Sequence, residues 1–174
     1  MTAAALRADC ARCAALCCVA FAFEPSADFA VRKDAGAPCP NLDGCGGCAI
    51  YRDRPERGFG GCVQYDCLGA GQRVVQETFC GRSWLQDPAL LPPMLRAFDV
   101  MRRVHQSLAL LAAARDAGLP DRRQREIARL VEALHTIART AAEPGAARAL
   151  PDLDRRIARF LASLRPHFTR ASEL

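Results

Sequence analysis

The sequence predicts a mainly α-helical protein in two unlike parts: an irregular, cysteine-rich N-terminal half with short helices and minimal β structure, then a three-helix C-terminal bundle packed on it. Three observations carry this. All ten cysteines lie at or before Cys80. Glycine, proline and aspartate crowd the segments between them. From Leu90 onward, apolar residues recur at three- and four-residue steps, the stripe of an amphipathic helix. The boundary is placed between residues 86 and 87, giving domains 1–86 and 87–174.

In the first part, residues 12–20 read as a short helix running into an extended Phe21-Ala-Phe23, residues 49–51 as a short strand, and residues 70–79 as a helix. Asp34-Ala-Gly-Ala-Pro38, Asn41-Leu-Asp-Gly44, Gly46-Gly47 and Gly58-Phe-Gly-Gly61 are turn chemistry. Phe21, Phe23, Phe29, Tyr51, Phe59, Tyr65 and Trp84 are the expected small core. In the second part, Leu91, Met94, Leu95, Phe98, Met101, His105, Leu108 and Leu111 mark the first helix, ended by Ala117-Gly-Leu-Pro120. Ile127, Leu130, Val131, Leu134, Ile137 and Ala138 mark the second, closed by Glu143-Pro-Gly145. Leu153, Ile157, Phe160, Leu161 and Leu164 mark the third, before Pro166. Each helix has one apolar face and needs a partner, either the N-terminal half or a second copy of the chain.

The cysteine spacing points to chemistry. Cys10/Cys13 and Cys45/Cys48 are each separated by two residues, so both sulfurs of a pair can turn toward one ion. Disulfides are the competing use, and the compartment decides between them. Arg7 and Arg12 precede an apolar run, but Cys17 and Cys18 interrupt it, Asp9 sits among the basic residues, and no small-residue cleavage site follows. No stretch reaches the roughly 20 apolar residues of a membrane span. The expectation is a cytoplasmic protein with reduced thiols, and metal coordination is the economical use of so many. Thiolate-only ligands suit zinc, an iron–sulfur cluster or copper(I). The order of Cys10, Cys13, Cys17 and Cys18 is not the ferredoxin pattern. Two four-sulfur sites, a cluster with a zinc, or a single site with redox-active spares all remain open.

The segment Cys10-Ala-Arg-Cys13-Ala-Ala-Leu-Cys17-Cys18, then Gly36-Ala-Pro-Cys39-Pro-Asn-Leu42, then Cys48-Ala-Ile-Tyr51 with Arg54-Pro55, resembles the zinc- or iron-chelating cysteine-cluster family. It departs from that pattern in having three residues, not two, before the vicinal pair, which bears on the identity of the bound centre. The resemblance is closest to the N-terminal region of actinobacterial pentapeptide-repeat proteins. It extends through Ser26-Ala-Asp-Phe-Ala30, Gly61-Cys62, Tyr65-Asp-Cys67, Gly69-Ala-Gly71-Gln72 and Gly81-Arg82 with Trp84, to Met101-Arg with His105. It implies that Cys10, Cys13, Cys17, Cys18, Cys39, Cys48, Cys62 and Cys67 are the metal ligands, with Cys45 and Cys80 outside the set. The repeats themselves are missing, so their functions do not transfer. Members resembling flagellin lysine methyltransferases carry an iron–sulfur centre, but no methyl-donor pocket is legible in this chain.

The remaining signals are weaker. Gly69-Ala-Gly71 lacks the companions of a phosphate loop and reads as a helix-opening turn. His105 and His135 lie on or beside apolar faces and read as packed side chains, and His167 has less claim to a ligand role. The net charge of +5 comes almost wholly from arginine, Lys33 being the only lysine. High arginine with high alanine suggests a GC-rich genome. Arg122, Arg123, Arg125 and Arg129, with Arg155, Arg156 and Arg159, are interspersed with Glu126, Glu132, Asp152 and Asp154, which reads as a solvated salt-bridging face. Nucleic acid is not the expected partner, since the aromatic interleaving of a single-strand binder is absent there. The functional expectation is therefore a cytosolic metal-binding protein with zinc or iron–sulfur centres, serving a protein partner as an accessory or interaction module. A redox or protein-modification component and a copper(I)/zinc buffer are the alternatives, and no catalytic residue is assigned.

Overall fold

A computed structural model describes residues 6–169. The chain is mainly helical: α1 (Leu16–Ala20), α2 (Gly60–Gln64), α3 (Ala70–Arg73), α4 (Leu91–Arg115), α5 (Asp121–Arg139), α6 (Pro144–Ala162) and α7 (Arg165–Thr169).

The longest helix, α4, is central. Asp87 accepts the Ala89 N–H at 3.1 Å and opens the Pro88–Leu90 turn that leads into it, and Pro92 and Pro93 sit in its first turn, where no intrahelical N–H bond is lost. It buries two stripes rather than the one expected. Met94, Phe98, Met101, His105 and Leu108 form the first; Ala97, Val100, Val104, Ser107, Leu111 and Ala114 form the second. The first meets the cysteine-rich half: Phe98 lies 6.1 Å from Phe21 between ring centroids, and His105 Nδ1 is 2.6 Å from the Leu68 carbonyl oxygen. On another side of the helix, Arg103 pairs with Asp154 of α6 at 2.5 Å.

Gly118, at a φ of +68°, turns the chain after α4. Gln124 then donates from Nε2 to the Arg115 carbonyl at 2.9 Å, satisfying an otherwise orphaned helix end. α5 buries Ile127, Leu130, Leu134, Ile137 and Ala138. α6 begins at Pro144, before the apolar stripe read from sequence, and buries Ala146 and Leu150 as well as Leu153, Ile157 and Phe160. Pro151 lies inside it at a cost of about 3 kcal/mol, which the packing of Leu150 and Leu153 on either side offsets. The helices α4, α5 and α6 pack pairwise on one another. One apolar cluster joins them to Leu16, Ala70, Val74 and Val75, so the core runs across the boundary drawn from sequence.

The N-terminal half departs from expectation in two places. The helix expected over 12–20 is broken: a 3-10 turn at Cys10–Arg12 is followed by Ala14 and Ala15 in left-handed conformation (φ 48° and 53°), and α1 starts only at Leu16. Two such alanines are strained and persist only where surroundings enforce them. Here Trp84 Nε1 donates to the Ala14 carbonyl at 2.8 Å, and Ala15 and Leu16 are buried. The strand expected over 49–51 is a turn, and Tyr51, expected in the core, is 51 % exposed with Arg54 stacked on its ring at 3.9 Å. Pairing among the described residues reduces to two bridges, Phe23 with Lys33 and Leu42 with Cys48. The 70–79 helix is α-helical over Ala70–Arg73 and continues as a π turn over Val74–Thr78.

Lys33 is the least expected core residue. It is buried, donates from Nζ to the carbonyls of Val19, Asp34 and Ala37 (3.2, 3.1 and 2.8 Å), and lies 4.9 Å from the Phe23 ring centroid. Phe23, Phe29 and Phe59 pack beside it, the first two stacked at 4.2 Å. Lys33→Met would keep the apolar stem and orphan three carbonyls. The expected loss is about 2–3 kcal/mol, read as a lower urea midpoint at unchanged slope.

Candidate metal centre

Nine of the ten cysteines line a single cavity of about 1180 Å3: Cys10, Cys13, Cys17, Cys18, Cys39, Cys45, Cys48, Cys62 and Cys67. All ten are free thiols. Cys80, just after the π turn, is exposed and does not line the cavity; its Sγ is 3.9 Å from the Glu77 carbonyl.

Local structure brings each thiol to the cavity. Asp9 caps the turn bearing Cys10 by accepting the Ala11 N–H at 3.1 Å. Gln72 and Gln76, one helical turn apart, hold that turn from below: Gln72 takes the Asp9 N–H and donates to the Arg7 carbonyl at 3.0 Å, and Gln76 donates to the Arg12 carbonyl at 3.1 Å. Cys13 is buried against Gly71, where a Cβ would come within 2.9 Å of the Cys13 Cβ. That close approach is what requires glycine at the position. The two left-handed alanines then redirect the chain so that Cys17 and Cys18 follow on α1, their sulfurs 4.0 Å apart.

The second group of loops is tied to the first by backbone. The Cys39 N–H donates to the Cys18 carbonyl at 3.0 Å. The Leu42–Cys48 bridge and the Asp43 carboxylate, which accepts the N–H groups of Cys45 (2.8 Å) and Gly47 (2.7 Å), fold Cys39, Cys45 and Cys48 into one turn system. Arg54 donates to the carbonyls of Cys62 (3.0 Å) and Tyr51 (2.8 Å), joining α2 to the Cys48 turn. Cys67 precedes Leu68, whose left-handed conformation is held by an Asp66 side-chain acceptor (2.7 Å) and by His105. His105 is fully buried, and burial holds its pKa down, which favours the neutral ring. It packs behind the site, as expected from its apolar face.

The sulfurs are gathered without being converged. Four thiolates on one zinc at about 2.3 Å would stand about 3.8 Å from one another. Among the described residues no group of three or more His, Cys, Asp or Glu side chains is drawn into such a shell. The electrostatics nonetheless sort them. Cys13 feels Cys10 and Cys67, and Cys17 feels Cys18, Cys13 and Cys67. Cys39 feels Cys18 and Cys48, and Cys62 feels Cys18, Cys39 and Cys48. The vicinal pair thus stands at the seam between two neighbourhoods.

Within the Cys10/Cys13 and Cys17/Cys18 pairs one thiol is held down and its partner pushed up. A hydrogen bond from Cys13, aided by the Arg54 charge, lowers the Cys10 pKa to about 6, while the same bond and burial push Cys13 far up. Cys18 is held down by its bond from Cys17, and Cys17 is pushed up. Burial raises Cys39, and raises Cys62 to about 11. A bound cation would remove these residual protons, so its affinity should rise with pH. Cys10 is exposed, and in reduced, metal-free protein it is expected to be the thiol readiest to react. It should therefore be alkylated well before Cys13, its buried partner at the end of the same turn, with a rate midpoint near pH 6, as followed by mass spectrometry.

The chain is 45 % identical over 109 residues to YybG, an uncharacterized protein of Bacillus subtilis strain 168. The match covers 63 % of this chain but only 39 % of that relative's length. No protein-family model matches the chain, and no solved structure matches it.

Sequence reasoning set Cys45 aside, yet it lines the cavity with the eight expected ligands. Its two-residue spacing from Cys48 was the available signal. Arg54, Lys33 and Trp84 pin the loops through hydrogen bonds to backbone carbonyls, a role that no spacing in the sequence reports.

Proposed function

We propose that this is a metal-binding protein in which Cys10, Cys13, Cys17 and Cys67 form one thiolate set and Cys18, Cys39, Cys48 and Cys62 another, holding zinc or iron–sulfur centres. The observation that carries the reading is nine unbridged cysteines around one cavity, anchored by backbone and side-chain hydrogen bonds. Bound there, the metal would cross-link loops that have little apolar surface of their own. The three-helix bundle of α4, α5 and α6 is the scaffold in this reading, and the protein acts as an accessory module for a protein partner in a reducing, cytoplasmic setting. Among the described residues no helix is long and apolar enough to cross a membrane. The resemblance to the cysteine-cluster family is part of the same proposal.

A redox role is the second reading, favoured by the exposed, acidified Cys10 at the cavity rim. Elemental analysis and an optical spectrum of anaerobically purified protein test both. Colourless protein with about two zinc per chain supports structural centres, and a brown protein with a broad visible band supports an iron–sulfur centre. Less than one metal per chain would overturn the proposal. Cys13→Ser and Cys62→Ser should each remove about half of the metal, and together nearly all of it. Complete loss from either alone would leave a single shared centre.

A further inference from the structure

A second cavity, away from the cysteines, occupies the open end of the α5–α6 pair. It has a volume of about 710 Å3 and is lined by Arg122, Arg125 and Arg129 from α5 and by Arg156 and Arg159 from α6, with Glu126 and Arg123 at its side. The spacing explains the clustering: 122, 125 and 129 share one face of α5, and 156, 159 and 163 share one face of α6. The acidic residues interspersed in the sequence do not neutralise it. Glu132 pairs with Arg139 (3.4 Å), Asp152 with Arg155 (2.8 Å) and Asp154 with Arg103 (2.5 Å), none of these arginines lining the cavity. Glu126 pairs with Arg123 (3.1 Å), whose guanidinium also lies 5.9 Å from the Phe160 ring centroid. The salt-bridging face expected from composition is thus resolved into paired arginines outside and a cavity whose five other guanidiniums make no ion pair among the described residues.

Like charges at three- and four-residue steps on facing helices repel. Such a constellation is stabilised by an anion that several guanidiniums can share, and the planar fork of arginine matches phosphate oxygens. We propose that this cleft binds a small ligand through a di- or triphosphate group. One carboxylate or monophosphate would leave most of the guanidiniums uncompensated. The volume suits a small molecule. A nucleic-acid track is disfavoured because the aromatic residue present, Phe160, is buried and so offers no stacking face.

The test is calorimetric titration of the intact, metal-loaded protein with sodium tripolyphosphate at fixed ionic strength. Saturable binding of about one equivalent is expected. It should weaken at least about tenfold in Arg129→Ala/Arg159→Ala, and partly in Arg129→Lys/Arg159→Lys, which keeps the charge but loses the fork. Arg115→Ala/Arg139→Ala, which removes equal charge elsewhere on the helices, should leave it unchanged. All these residues except Arg159 and Arg129 are controls for net charge, and all are exposed, so folded variants are expected by circular dichroism. No saturable binding, equal weakening in the control, or binding that survives the double alanine variant, at the cysteine cavity or elsewhere, would overturn the proposal. So would an oligonucleotide that binds through the same arginines and is not displaced by tripolyphosphate.

Discussion

Stripping the proposed metal under reducing conditions should unfold the segment from Glu24 through Leu68 while α4, α5 and α6 stay helical. In that whole segment only Lys33 and Phe59 are buried side chains. Ordering a residue's backbone costs about 1–2 kcal/mol, so burial of this extent cannot hold the loops by itself. A structural zinc contributes apparent free energies of about 10–16 kcal/mol in finger peptides, comparable with the total stability of a typical domain. The helices share a buried cluster that includes Val104, Leu111, Leu134, Leu150 and Phe160, so their packing does not depend on an ion in the loops. Hydrogen exchange with and without chelator reads the outcome residue by residue. Protection lost from residues 24–68 and retained in α4 to α6 is the expected pattern. An unchanged exchange map after complete metal removal would show that the loops hold themselves, and the metal-based account of this half would fail.

What was legible in the sequence follows from how each element is stabilised. α5 and α6 each bury one stripe at helical spacing, and a periodic apolar pattern reports that directly. α4 was half legible. Its second stripe is built from Ala97, Val100, Val104 and Ser107, small or β-branched residues that read as neutral filler until a neighbour covers them. The turn at Ala14 and Ala15 was illegible for a physical reason: alanine has the highest helix propensity, and what overrides it is a hydrogen bond from Trp84, 70 residues away.

The same division holds for the sites. Cysteine spacing marked most of the residues that line the first cavity, because spacing within a turn is a local property. It could not say which loops meet, since that depends on the Cys39–Cys18 backbone bond and on Arg54 reaching Cys62. The arginine cleft was hidden by interspersed acids that look neutralising along the chain. In space those acids are engaged by other arginines, and only the helical phase of residues 122, 125, 129, 156 and 159 reveals the cluster.

Phe98→Ala should cost about 3–5 kcal/mol, the range for truncating a buried phenylalanine. The side chain is 1 % exposed and sits where α4 meets both the cysteine loops and α3: Phe21 lies 6.1 Å away, and the position a Gly71 Cβ would take is 3.8 Å from Phe98 Cε2. The cavity left behind would border Phe21, which also contacts Tyr65 edge-on at 5.0 Å between the Cys62 and Cys67 turns. The loss should therefore fall on the junction between the halves. Thermal unfolding of this variant should split into two transitions, the helical scaffold melting apart from the cysteine loops, where the parent protein is expected to melt in one. Leu134→Ala, a fully buried truncation within α5 away from that junction, should lower the midpoint by a similar free energy without splitting the transition. A single transition for Phe98→Ala at the parent midpoint would show that Phe98 does not couple the two halves, and that Leu16, Trp84 and His105 suffice to join them.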